Sequence, residues 1–175
     1  GGVVLGDQFA DVEKTYPGMV WDDPIRGNIG EFIKLKEEYP HLKTLISIGG
    51  WTWSKEFSQV AKSSNKRNRF ATSAVQFMLD YGFDGIDIDW EYPVAGGLGP
   101  WDPQDKINFT KLLKLCREKL DAVKKGYLLT IATSASSAYA SNMEVSEIAK
   151  YITYMNIMTY DFNGPWASKT GHNAP

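Results

Sequence analysis

The sequence predicts an α/β fold built on a parallel sheet, from three observations. Helix-like and strand-like segments alternate along the chain, the strand-like ones are short and apolar, and the links between them are long enough to hold crossover helices. Length and composition agree, since 175 residues with 43% hydrophobic and 23% charged suit one domain with a single core.

Residues 28–39 open the series. Ile29, Phe32, Ile33 and Leu35 recur at roughly helical spacing, and Pro40 closes the segment. Residues 42–48 read as a buried parallel strand, because they are mostly apolar or β-branched and Gly49 and Gly50 stop them. A second helix carries Phe70, Ala74, Phe77, Met78 and Tyr81 on one stripe, with Ser63, Ser64 or Asn65 as cap and Gly82 as terminator. Residues 83–91 form the second strand, which Pro93 prevents from continuing by removing a backbone donor.

A Gly/Pro-rich loop over 94–104 leads to the clearest helical stripe: Phe109, Leu112, Leu113, Cys116, Leu120 and Val123. Cys116 belongs to that apolar face and is expected in the core. Residues 128–133 then read as a strand, 145–151 as a short helix and 154–162 as a fourth strand. Two architectures satisfy this order, a doubly wound open sheet or part of a (β/α)8 barrel. No Gly-rich phosphate fingerprint follows any strand, which weakens a nucleotide-binding open sheet.

Bulk chemistry narrows the partners. Lys and Arg total 19 against 21 Asp and Glu, and a net charge of -2 gives no long-range attraction to nucleic acid or anionic lipid. A lone cysteine excludes an intramolecular disulfide and a thiolate-rich metal site. No run approaches the ~20 apolar residues that a membrane span requires, and residues 1–10 lack the pattern of a signal peptide. With no initiator Met and a turn-like end at residues 171–175, the chain is expected to be a fragment.

Chemistry in either architecture gathers at the carboxyl ends of parallel strands. There the second strand reads Asp84-Gly85-Ile86-Asp87-Ile88-Asp89-Trp90-Glu91. Period-two alternation puts Asp87, Asp89 and Glu91 on one face and Ile86, Ile88 and Trp90 on the other. Neighbours in that row stand roughly 6 to 7 Å apart along the backbone. Close like charges and desolvation raise carboxyl pKa values, so the acid nearest the mouth can stay protonated near neutral pH, as a general acid must.

A solvated edge face would also alternate in this way, but an apolar opposite face and flanking helices argue for a covered interior. A divalent cation is a further alternative. Against it, the acids lie in line on one strand, Asp161 is the only carboxylate at the other strand ends, and His41 and His172 fall outside them.

Residues 84–91 resemble the DxxDxDxE signature of glycoside hydrolase family 18, the chitinases, with Tyr92-Pro93 as its usual continuation. Ser47-Ile48-Gly49-Gly50-Trp51 is similar to the family's SxGG motif on barrel strand three, and Met158-Thr159-Tyr160-Asp161 to its MxYD motif on strand six. The resemblance implies a partial (β/α)8 TIM barrel, about strands 3 to 6 of eight. The other strands are expected before Gly1 and after Pro175, so this piece should be unstable alone, with both sheet edges open.

What the resemblance implies for chemistry is hydrolysis of β-1,4-linked N-acetylglucosamine polymers by a retaining mechanism in which the substrate's acetamido oxygen is the nucleophile. Glu91 would be the general acid and base. Asp89 would hold the acetamido N–H and offset positive charge, Asp87 would share a proton with Asp89, and Tyr160 would donate to the acetamido oxygen. Met158 and Asp161 would shape the same subsite, while Trp51, Tyr92 and Trp166 would bind substrate; Trp53 and Trp101 divide evenly between sugar stacking and packing. Asp84 is expected to tie the strand entry, and Ser47 and Gly50 to shape the interior. No cofactor or metal is implied, and the parent is expected to be a secreted monomer acting on chitin or chitooligosaccharides. Alternatives of the same fold are an endo-β-N-acetylglucosaminidase acting on glycoprotein glycans and a non-catalytic chitin-binding lectin, the latter disfavoured because Glu91 is intact.

Overall fold

The computed structural model describes residues 2–175. Four strands, β1 (Leu45–Gly49), β2 (Gly85–Asp89), β3 (Leu128–Ser134) and β4 (Tyr154–Met158), form one sheet in the order β1-β2-β3-β4, each pair parallel. That order decides between the two architectures. A doubly wound sheet reverses its strand order at a switch point, whereas here each strand lies beside its predecessor and the sheet advances in one direction. The chain is a sector of a (β/α)8 barrel.

The helices are α1 (Gly27–Glu38), α2 (Phe57–Lys62), α3 (Ser64–Asp80), α4 (Asp105–Val123), α5 (Ser137–Ser141) and α6 (Val145–Ile148). A π-turn at Phe9–Glu13 and a 3-10 turn at Ser54–Glu56 complete the elements. Ser63 caps α3 by accepting from the Lys66 N–H at 3.5 Å, one of the three caps the sequence offered.

The core lies between the sheet and its helices. Ile86 and Ile88 are fully buried there with Leu112, Leu113 and Cys116, so the apolar side of the acidic strand faces helices as the alternation required. Trp90 extends that face. Its ring stacks on Phe57 at 5.5 Å and meets Phe109 edge-on at 5.2 Å, which anchors the backbone between Asp89 and Glu91 from behind.

Some elements differ from the sequence reading for local reasons; β2 and the last short helix, for example, are shorter than 83–91 and 145–151. β1 starts at Leu45, because the Leu42 N–H closes a turn onto the Tyr39 carbonyl. β4 stops at Met158, and Asp161 just beyond has a φ of 57°, incompatible with extended backbone. α2 and α5 went unseen since, at six and five residues, neither is long enough to show a helical period.

Asp84 ties the entry to β2 as expected. It accepts from the Thr44 N–H at 2.9 Å and pairs with Lys36 at 2.8 Å and Lys43 at 3.6 Å. Burial works against the charge, but Lys36, the Thr44 N–H and Lys43 outweigh it and hold the carboxyl below its ordinary range. No helix among the described residues is long and apolar enough to cross a membrane.

Candidate active site

Parallel register sets the floor of the site. Ser47, Asp87 and Thr130 lie side by side on β1, β2 and β3, and Asn156 reaches in from β4. Asp87 gathers all three neighbours: Ser47 Oγ donates at 3.0 Å, Thr130 Oγ1 at 2.5 Å and Asn156 Nδ2 at 3.2 Å. A carboxylate held by donors from three other strands is fixed in position. No hydrogen bond joins Asp87 to Asp89 among the described residues; the oxygens of Asp87 turn to its strand neighbours instead of along the row.

One step up the strand, Asp89 has a buried Oδ1 with no hydrogen-bond partner among the described residues. Desolvation first, then the charges of Glu91 and Asp87, push its carboxyl up to about 6. Asp89 alone has a carboxylate on either side of it in the row. A short polar acceptor with unfilled capacity is suited to take an N–H from a ligand.

Glu91 lies just past the end of β2. Tyr92 follows it, with its ring 4.2 Å from that of Tyr139 on α5 and its hydroxyl set to donate to the Glu91 carboxylate. Burial and that carboxylate raise the Tyr92 phenol, so it stays a donor throughout the neutral range. The Glu91–Tyr92 peptide is cis.

Gly49 explains part of the SxGG pattern. At φ 120° its Cα passes so close to β2 that a Cβ would run into the Asp89 carbonyl oxygen and the Phe57 ring. The Gly50 N–H then donates to that same carbonyl at 2.7 Å.

The loop after the acid is pinned by Asp105, the first residue of α4. Asp105 is fully buried and accepts from Ser58 Oγ at 2.8 Å, the Asp102 N–H at 2.8 Å and the Val94 N–H at 3.4 Å. Asp105→Ala strands those donors and is expected to lower stability by about 3 kcal/mol in urea unfolding of the full-length protein. A loss below about 1 kcal/mol would show that the loop holds without it.

The other expected residues sit around this centre with fewer ties. Met158 ends β4 opposite Ser134, and Tyr160 and Asp161 follow just beyond the strand end. Tyr160 is half exposed, and its side chain makes no hydrogen bond among the described residues. The Asp161 N–H donates to Asn173 Oδ1 at 2.9 Å. Trp51 is exposed beside Gly50, Trp53 lies on Gly6, Trp101 is exposed in the loop after the acid, and Trp166 folds over Gly164.

Ser54, Thr130 and Asn156 were missed as site residues. Thr130 and Asn156 had a signal, a polar side chain between two apolar neighbours on a strand; Ser54 had none. Among the described residues no group of three or more His, Cys, Asp or Glu side chains is arranged to hold a metal ion.

Comparison with known proteins bears on these residues as a set. The sequence model described as Glycosyl hydrolases family 18 matches residues 3–175. Chitinase A1 of Niallia circulans is 54% identical over 181 aligned residues, covering 100% of this chain and 26% of that protein. Endochitinase 1 of Metarhizium anisopliae is 40% identical, and the chain spans 42% of its length. Among solved structures, chitinase ChiA74 from Bacillus thuringiensis superposes with a TM-score of 0.91 at 48% identity, over 97% of this chain and 29% of that one. The chain thus spans well under half the length of these relatives.

Proposed function

Because the chain belongs to the glycosyl hydrolases of family 18, we propose that its site hydrolyses β-1,4-linked N-acetylglucosamine polymers, with Glu91 as general acid and base. One observation carries the reading: Asp87, Asp89 and Glu91 form a graded row at the carboxyl end of β2, with a tethered charge at the base, a desolvated acceptor in the middle and an acid at the mouth.

Glu91 gives its proton to the glycosidic oxygen as the bond from that oxygen to the anomeric carbon breaks. The acetamido oxygen of the same sugar bonds to the anomeric carbon from the opposite side, giving an oxazolinium ion. Asp89 takes the acetamido N–H on its open Oδ1 and offsets the developing positive charge. Tyr160 donates to the acetamido oxygen and aligns it, while Asp161 and Met158 bound the same subsite. The Glu91 carboxylate then removes a proton from water, whose oxygen attacks the anomeric carbon and reopens the ring. Two inversions leave the configuration retained.

Trp51, Tyr92 and Trp166 offer flat apolar faces for sugar rings along this track. The substrate is chitin or its oligosaccharides, with no nucleic acid, membrane, metal or cofactor required. Such a polymer is too large to enter a cell, which fits a secreted parent; we take that parent to be a monomer in which this chain is the central part of a complete barrel.

The full-length protein, given chitooligosaccharides and followed by fast NMR, is expected to release the β-anomer first and to ignore substrates lacking the N-acetyl group at the cleaved sugar. Initial α-anomer, or a glycosyl ester on any carboxylate trapped with a fluorinated sugar, would overturn the acetamido route. Cleavage of glycoprotein glycans in preference to chitin oligomers would move the substrate to the glycan core, and tight oligomer binding without turnover would make the protein a lectin.

A further inference from the structure

The β1–β2 ladder ends at the pair Gly49 and Asp89, two residues short of the acid. Beyond it β1 turns away through residues 50–54, so the Glu91 N–H has no strand to bond to. The Ser54 hydroxyl takes it. Its Oγ accepts from the Glu91 N–H at 2.9 Å and stands 2.8 Å from the Gly50 carbonyl and 3.0 Å from the Asp89 carbonyl, to which its single proton can be given.

Ser54 is itself buried, and its own N–H donates to the Gly50 carbonyl at 3.1 Å, which fixes the turn that presents the hydroxyl. One side chain therefore touches the backbone of both Asp89 and Glu91 and of the turn that opens the SxGG loop. We propose that Ser54 is a positioning residue for the acid pair, setting the spacing and direction of the Asp89 and Glu91 carboxyls by substituting for the ladder bond that β1 no longer supplies. This rests on the reading of Glu91 as general acid.

The geometry says why a hydroxyl is needed. The Glu91 N–H requires an acceptor, while the Gly50 and Asp89 carbonyls, each already holding one backbone N–H, have a second lone pair that can take the hydroxyl proton, so one serine Oγ ties the Glu91 N–H to the strand end. An alanine leaves a part-buried N–H unpaired next to the acid and lets the strand end shift. A displacement of the acid by a fraction of an ångström is felt in the chemical step more than in binding, which is spread over several sugar contacts.

In the full-length protein acting on soluble chitooligosaccharides, Ser54→Ala is expected to lower kcat about tenfold, keep KM within about twofold and shift the midpoints of the kcat–pH profile. Ser54→Thr, which restores the hydroxyl, is expected to recover both the rate and the profile. A merely structural serine would lower the melting temperature while leaving kcat and the pH profile of the folded enzyme at wild-type values, and that result overturns the proposal. Should Ser54→Ala not fold, Ser54→Cys keeps the volume and weakens both bonds; reduced kcat with a shifted profile supports the role, and a wild-type profile removes it. A wild type that hydrolyses nothing overturns the reading of function and this inference with it, whereas an active wild type indifferent to Ser54→Ala overturns this inference alone.

Discussion

Glu91→Gln in the full-length protein is expected to reduce turnover of chitin oligomers by about 10²- to 10⁴-fold while leaving their binding within a few-fold of wild type. The amide keeps the shape of the side chain and its contact with Tyr92, but has no proton to give the leaving oxygen and none to take from water. Both halves of the reaction fail together. Reducing-end assays give the rate and calorimetry on the same variant gives the affinity. Retention of more than a few per cent of turnover would remove Glu91 from the role of acid.

Asp89→Asn is expected to have the next largest effect on rate, about 10²-fold in kcat, because the amide offers no negative charge to the oxazolinium and a weaker acceptor to the acetamido N–H. Its effect on stability has the opposite sign. Folding raises the Asp89 carboxyl from its ordinary 3.8 to about 6, so between those limits the folded state holds more proton than the unfolded one. Stability therefore falls as pH rises through that window, and the cost is complete above about 6. The variant removes it. After allowance for the half-exposed setting, Asp89→Asn is expected to gain on the order of 1 kcal/mol at pH 7 and almost nothing at pH 4. Equal melting-temperature changes at both pH values would show that the strain at Asp89 is not electrostatic.

Much of this was legible in the sequence because strand chemistry is periodic. Alternation assigned Ile86, Ile88 and Trp90 to the core and Asp87, Asp89 and Glu91 to the other face, and the register of four parallel strands agrees with that division. Cys116 proved a core residue, and Asp84 an anchor at the strand entry.

The rest was illegible for reasons of distance. Asn156 meets Asp87 across 69 positions of chain and Ser54 meets Glu91 across 37, so neither contact leaves a local pattern. The choice of Asp89 as the group under pressure required its surroundings on both sides and the burial of one particular oxygen. Tandem strand order, which separated a barrel from an open sheet, likewise exists only in space.

The tight crossing at Gly49 has a consequence for how this site can change over generations. Any side chain there must displace the Asp89 carbonyl, whereas at Gly50, where φ is 88°, the nearest atom to a Cβ is Asp89 Oδ2 at 3.7 Å. In a saturation library selected for growth on chitin oligomers, position 49 is expected to admit glycine alone, while position 50 also admits asparagine and aspartate, the residues most at ease with a left-handed backbone. Lineages that drift in substrate preference would then explore sequence space at Gly50, with its neighbour frozen beside it.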